Sequence, residues 1–457
     1  MTLTATATTT AAEAIATAGS AVDALRNAQA KPTVFPVQAE FTNWRSEQRA
    51  WREGVALLDQ SHHMTDLFIS GPDALRLLSD TGVNNFSRFR PQMAKQFIAV
   101  NHEGYLIGDA ILVYLEEESF DLVGWHMVLD WVQFIGETGD YDVTFERDAS
   151  SAVRQGDPTL YRYEVQGPDA EKLMQKVSTI EVAQTRFFGM LEFEIAGRRI
   201  PAIRHGMAGQ PGFEMWGPWE DREVILQALV EAGAEFDLTR VGSLAYSTAN
   251  LESAWVPSPP AAIFTGERME EYLDWLPAAR MGSIAGSLDS EDIEDYYLTP
   301  FDLGYGFVID WDHDFIGREA LRSHAKAASR KKVTLVWDPE ELASAQRTLY
   351  EEGVPAKFIN LPKARYGQFQ TDRVLHDGRD VGISLDAGYL ANEQAFVSLA
   401  TIEEEFSAPG TEVTLVWGED PASTKPAVEA HRQIQIRATV QPAPYSRFTR
   451  ENYRRNS

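Results

Sequence analysis

Cysteine is absent from this 457-residue chain. That removes disulfides, zinc–thiolate sites, iron–sulfur clusters and thiol nucleophiles from its chemistry, leaving imidazole, carboxylate, phenol and amide. Of nine histidines only His62 and His63 are adjacent. On a strand, neighbours point to opposite faces, so the pair does not read as two ligands of one metal. The acidic run Glu291-Asp292-Ile293-Glu294-Asp295 lacks the glycine hinge and oxygen-ligand spacing of a calcium loop and reads as a solvated turn. The glycine-rich phosphate loop, the dinucleotide glycine fingerprint and the His-Glu-x-x-His zinc motif are all missing. The corrinoid pattern Asp-x-His-x-x-Gly is missing too, since Asp372–Gly378 carries similar letters at the wrong spacing. Nucleotide hydrolysis, nicotinamide chemistry and corrinoid chemistry lose ground accordingly, and no metal is expected.

The formal net charge of −27 opposes broad binding to nucleic acid or anionic lipid, whose phosphates demand a basic surface. Arg330-Lys331-Lys332 and the tail from Arg447 to Arg455 are the basic runs, and both read as solvated edges. No stretch approaches the roughly 20 apolar residues of a membrane span. The N-terminus, small and polar, has neither the basic nor the apolar region of a secretory signal. We expect it to be a mobile lead that becomes helical near Ala21–Ala28, in a cytoplasmic protein. Oligomeric state is not readable.

Stepwise patterns show the elements that must position any site. Asp66-Leu67-Phe68-Ile69 reads as a strand, and Gly71-Pro72-Asp73 opens a helix with Leu75, Leu77 and Leu78 on its apolar face. Lys95–Val100, Tyr105–Leu115 and Phe120–Val123 read as antiparallel strands joined by short turns. Tyr161, Tyr163 and Val165 alternate with polar residues, the mark of a half-buried strand. Gln166-Gly167-Pro168-Asp169 then turns into a second helix, so Ile69–Ala74 and Val165–Ala170 hint at a duplicated strand–helix unit. Glu223–Ala232 is an amphipathic helix, and Arg318–Ala327 another. A composition shift at Ser329–Lys332 marks a domain boundary, giving units of 21–328 and 329–450, the second strand-rich and expected to form a small barrel.

Five segments in order, over about 260 residues, together resemble the folate-binding aminomethyltransferases, the T-protein of the glycine cleavage system and its relatives. They are Leu58–Met64, Gln166–Ala170, Arg204–Met215, Asn250–Trp255 and Asp314–Leu321. Within that superfamily Phe41–Arg45, the doubled His62-His63, Arg204–Gly209, Ile293–Tyr297 and Pro442–Ser446 are most similar to the tetrahydrofolate-dependent aryl O-demethylases that act on vanillate, syringate and related methoxyarenes. The resemblance implies an α+β, aminomethyltransferase-like fold of three packed domains around a central folate channel, with a C-terminal β-barrel. It implies methyl transfer from a methoxylated aromatic acid to N5 of tetrahydrofolate. The alternatives are another folate-dependent C1 transferase and a folate-binding regulatory protein without catalysis.

That reaction needs a proton donor where the ether oxygen gains charge, and two substrates held in line. By resemblance, Tyr246 is the acid and His63 its partner or a substrate contact. A phenol with an ordinary pKa near 10 matches a phenol leaving group. Glu214 matches the carboxylate that grips the pterin by two parallel N–H bonds; Gln166 lies near that ring, Trp255 walls the folate, and Val123 presents backbone groups to it. Two positions depart from the relatives. Trp125 replaces an arginine after Val123-Gly124, with His126, Arg90 or Arg204 as substitutes, and Phe35 replaces a tyrosine. Phe35, Trp125 and His126 are therefore the expected substrate contacts, and the loss of polar groups points to a bulkier or more apolar methoxyarene than vanillate, such as the chlorinated dicamba. Gly108-Asp109 stands where the T-protein has paired aspartates, which weakens an aminomethyl reading.

Overall fold

The computed structural model describes residues 9–30, 35–327 and 330–453. The described residues build two larger open sheets, a two-stranded ladder of Ile284–Ala285 with Phe369–Gln370, and a C-terminal barrel. A six-stranded sheet runs, edge to edge, Leu238–Val241, Val55–Asp59, Leu160–Gln166, Gly212–Pro218, Arg198–Arg204 and Met190–Ile195. A five-stranded antiparallel sheet runs Met93–Val100, Leu106–Glu116, Ser119–Gly124, Thr65–Ser70 and Thr144–Asp148. The three strands expected at 95–123 are its first three. In the C-terminal region six strands close into a barrel, because Arg379–Leu390 pairs with both Asp372–His376 and Ala395–Glu403. The fold is α+β as expected. The boundary expected between 328 and 329 lies outside the described residues.

The two strand–helix units match in detail. After Thr65–Ser70 and after Leu160–Gln166 the chain turns through Gly71 (φ 137°) and Gly167 (φ 134°) into the helices Ala74–Thr81 and Ala170–Val177. At each corner a Cβ would lie 2.3 Å from a backbone oxygen, that of Asp142 or Gly54. Only glycine fits a left-handed corner pressed so closely against backbone.

Two expectations are corrected. The N-terminal lead is helical from Ala11 to Ala18, held by a capping box between Thr10 and Glu13, and the Ala11 N–H donates to the Leu276 carbonyl at 2.7 Å. Ala11, Ala14 and Ile15 pack into the apolar core of the five-stranded sheet. The strand Leu160–Gln166 is not half-buried. Tyr161, Tyr163 and Val165 enter one core, while Arg162, Glu164 and Gln166, on the opposite face, are enclosed as well. Period-two alternation is the same for a solvated polar face and for a buried functional one.

Candidate active site

The enclosed polar face is the floor of the site. Across the antiparallel pairing Glu214 lies opposite Glu164, and Leu58, two residues before Gln60, lies on its other side. Phe213 and Met215 point into the core beneath, which turns Glu214 upward. Arg162 is the hub. Its guanidinium meets Asp66 at 2.6 Å, Glu214 at 3.0 Å and Asp121 at 3.5 Å. Burial, then the charge of Asp66, pushes the Asp121 carboxyl well above the usual range. Glu214 behaves oppositely. Burial raises it, but His205 at 3.5 Å and Arg162 together outweigh burial and hold it ionised. Glu164 accepts from the Gln60 amide at 2.6 Å and from the Met207 N–H at 2.8 Å, and burial lifts it to about 7. Glu164, His205 and Glu214 bring ligand atoms within 4.8 Å of one another, but Arg162 already supplies the cation beside them.

The turn bearing the histidines hangs from the same strand. The Gln60 N–H donates to the Arg162 carbonyl at 2.8 Å, and the Arg162 N–H to Ser61 Oγ at 3.0 Å. His62 and His63 therefore sit on a turn, not a strand, and still diverge. His62 Nδ1 meets Ser151 Oγ at 2.8 Å and its ring lies edge-on to Trp219. His63 Nε2 meets the Tyr246 hydroxyl at 2.7 Å. Burial lowers His63 to about 4, so it is neutral, and the Gln60 carbonyl engages the ring as well. With that carbonyl taking the other ring proton, Nε2 accepts and Tyr246 donates. Burial, reinforced by Glu164 and Glu214, pushes the Tyr246 phenol well above its usual range. Tyr246 ends the short helix Ser243–Tyr246, whose start is fixed by the Gly242 N–H donating to Glu47 at 2.9 Å.

The segment Asn250–Trp255 is rigid for visible reasons. Asn250 donates to the Trp255 carbonyl at 2.9 Å and to Asp386 of the barrel at 2.7 Å, and Glu252 accepts from Trp51, Arg52 and Asn392. Trp255 Nε1 in turn donates to Asp109 at 2.9 Å. Burial raises Asp109 to about 6 despite bonds from Gln96 and Trp255.

Two buried amide atoms on this floor, Gln166 Nε2 and Gln60 Oε1, have no protein partner. Orphaned donors and acceptors at an enclosed face are what a polar heterocycle would satisfy. The Ala208 N–H fixes Gln166 by donating to its Oε1 at 3.0 Å, which leaves the Nε2 end for a ligand.

Comparison with known proteins places the chain in a family. The family described as GCVT N-terminal domain matches residues 15–257. Syringate O-demethylase of Sphingobium sp. (strain NBRC 103272 / SYK-6) is 44% identical over 95% of this chain and 96% of its own. The chain belongs to the tetrahydrofolate-dependent aminomethyltransferase superfamily. Another member, sesamin methylene transferase of Sinomonas sp. (strain No.22), is 25% identical over 91% of this chain and 92% of its own. The aminomethyltransferase fold is shared with the glycine cleavage system aminomethyltransferase T from Bartonella henselae. That solved structure superposes with a TM-score of 0.61 at 16% identity, over 92% of this chain and 95% of that one.

Among the aminomethyltransferase-like positions expected from sequence, Gln166 and Glu214 share the buried floor, and His63 and Tyr246 are bonded beside it. Phe35 lies edge-on to His63, with ring centroids 5.7 Å apart. Val123 is flanked in its sheet by Asp66 and Ile111. Trp125 packs edge-on against Phe369 at 5.4 Å. Asp130 holds His126 Nδ1 at 2.9 Å while also pairing with Arg147 and Arg280. Arg90 is exposed, and Arg204 donates to the Thr185 carbonyl. Sequence reading missed Arg162, Glu164 and Gln60. The signal was available in the polar letters of Tyr-Arg-Tyr-Glu-Val-Gln, which share one face of a strand.

Proposed function

We propose that this enzyme demethylates a methoxylated aromatic acid, passing the methyl group to N5 of tetrahydrofolate and releasing the phenol. The observation that carries the reading is the Tyr246–His63 pair at 2.7 Å beside a floor that includes Glu214, whose charge acts on both residues. The 44% identity to a syringate O-demethylase supports the same chemistry.

Tetrahydrofolate supplies the nucleophile that takes up the methyl group. The ionised Glu214 would accept N–H bonds from the pterin, Gln166 would donate through its free Nε2, and Trp255, fixed by Asp109 and Asn250, would wall the ring. Tyr246 stays protonated at rest because its phenol is pushed up. Rotation about its C–O bond re-aims the hydroxyl from His63 to the ether oxygen. The proton then meets the charge as it develops, and His63 keeps the ring in place.

Phe35 and the Trp125–Phe369 pair make the aromatic side of the pocket apolar, which favours a bulkier or more apolar ring than vanillate. Incubation of the enzyme with tetrahydrofolate and a panel of syringate, vanillate and dicamba tests this. Equimolar phenol and 5-methyltetrahydrofolate are the expected products, with vanillate the poorest substrate. Tight folate binding without product overturns the catalytic reading, and vanillate turning over far faster than the others overturns the substrate preference.

A further inference from the structure

Glu164 is a buried carboxyl that the mechanism above does not use. Its bonds have a direction. The Gln60 Nε2 donates to Glu164 at 2.6 Å, and the same side chain lies in hydrogen-bonding reach of the Tyr246 hydroxyl. That hydroxyl donates to His63 Nε2 at 2.7 Å, and His63 returns to the backbone of Gln60. With Glu164 ionised, the Gln60 amide spends one N–H on Glu164 and keeps the other for the tyrosine oxygen within its reach. A protonated Glu164 breaks the order. Its O–H needs an acceptor, the amide oxygen is the one at hand, and turning that oxygen toward Glu164 takes the N–H away from Tyr246.

We infer that Glu164 is a positioning residue for the proposed methyl transfer: in its ionised form it aims the Gln60 amide so that an N–H supports the Tyr246 oxygen while that oxygen gives up its proton. The inference rests on the demethylase reading and adds a residue to it. Glu164 touches neither reacting atom. The groups that face it are Arg162 and Gln166 on its own strand, Glu214 across the sheet, His205 and the Met207 N–H from the loop after Arg198–Arg204, Gln60 just beyond the neighbouring strand, and Tyr246 with His63. Glu214 and Arg162 remain charged throughout the neutral range, so Glu164 is the carboxyl on this floor whose state changes there, near 7.

The test compares wild type with Glu164→Gln, Gln60→Ala and the double variant, each checked for folding by thermal melting. In wild type kcat rises as pH rises through about 7. Glu164→Gln loses this limb and runs about tenfold slower at pH 8, and the double variant is no slower than Gln60→Ala alone. An unchanged limb in Glu164→Gln, or additive losses in the double variant, overturns the proposal. A second readout needs no turnover: infrared titration follows the C=O stretch of a buried protonated carboxyl. Asp372 is raised to about 7 as well, so the reading is a difference: a wild-type band that disappears near neutral pH, is lost in Glu164→Gln and is kept in Asp372→Asn supports the assignment, and identical titrations of wild type and Glu164→Gln overturn it. Wild type that turns over no methoxyarene sinks the demethylase reading, while the infrared titration still decides whether Glu164 titrates.

Discussion

Tyr246 and Glu214 separate chemistry from binding. Tyr246→Phe removes the proton donor but leaves the ring edge-on to His63. Methyl transfer should fall by about 10²–10⁴-fold with tetrahydrofolate affinity nearly unchanged, as read by single-turnover kinetics and calorimetry. Glu214→Gln should do the reverse, losing about 1.5–3 kcal/mol of folate binding as a charge-assisted contact becomes a neutral one. Both residues were legible in the sequence because they sit in motifs, Gly-Phe-Glu-Met and the run before Asn250–Trp255. Arg162 and Glu164 were not. Their strand alternates as a solvent-facing one would, and only the second sheet, bringing Asp66 and Asp121 over Arg162, shows that the polar face is covered. A local pattern holds no information about what closes over it.

At the scale of elements, the corners at Gly71 and Gly167 aim two strands and two helices at the site. The resemblance between Ile69–Ala74 and Val165–Ala170 was visible in letters, and the shared left-handed φ gives it a physical cause. Gly167→Ala should be costly, since its Cβ would lie 2.3 Å from the Gly54 oxygen in addition to the strain of φ 134°. Gly378, at φ 79° in an open hairpin turn, has nothing within 4 Å, so Gly378→Ala should cost only about 1 kcal/mol of backbone strain. Denaturant melts of the two variants check the order, with Gly167→Ala the less stable. The His62-His63 turn was harder to place. Adjacent histidines carry no signal of turn or strand, and their divergence follows from Ser61 being bound to the Arg162 backbone.

For the molecule as a whole, pH acts through buried carboxyls. Glu164 and, in the barrel, Asp372 are both raised to about 7, chiefly by burial. A carboxyl raised on folding binds more protons in the native state than in the unfolded one. Its contribution is therefore complete below the unfolded pKa and is lost as pH rises through the folded value. His63, lowered to about 4, works in the opposite sense, but below its ordinary value of 6.5. Between pH 6.5 and 8 the carboxyls govern, and the thermal midpoint should fall across that window. Asp372→Asn, a site remote from Tyr246, should flatten the slope while leaving methyl transfer intact. Barrel and sheets were anticipated from strand density and short turns. The N-terminal helix Ala11–Ala18 was not, although Thr10 and Glu13 carry the spacing of a capping box, and its docking against the Leu276 segment has no local signal.

The closed barrel also bears on how copies of the chain meet at high concentration. A cylinder has no rim, so it offers a passing strand no open ladder to copy. Apart from two-residue strands, the described rims are Leu238–Val241, Met190–Ile195, Met93–Val100 and Thr144–Asp148. Two of these adjoin each other, through a bridge between Met93 and Gly189. Templated stacking of one chain on another is thereby restricted to the few margins left uncovered, and a proline placed at a solvent-facing position of one of them would be the economical way to discourage it.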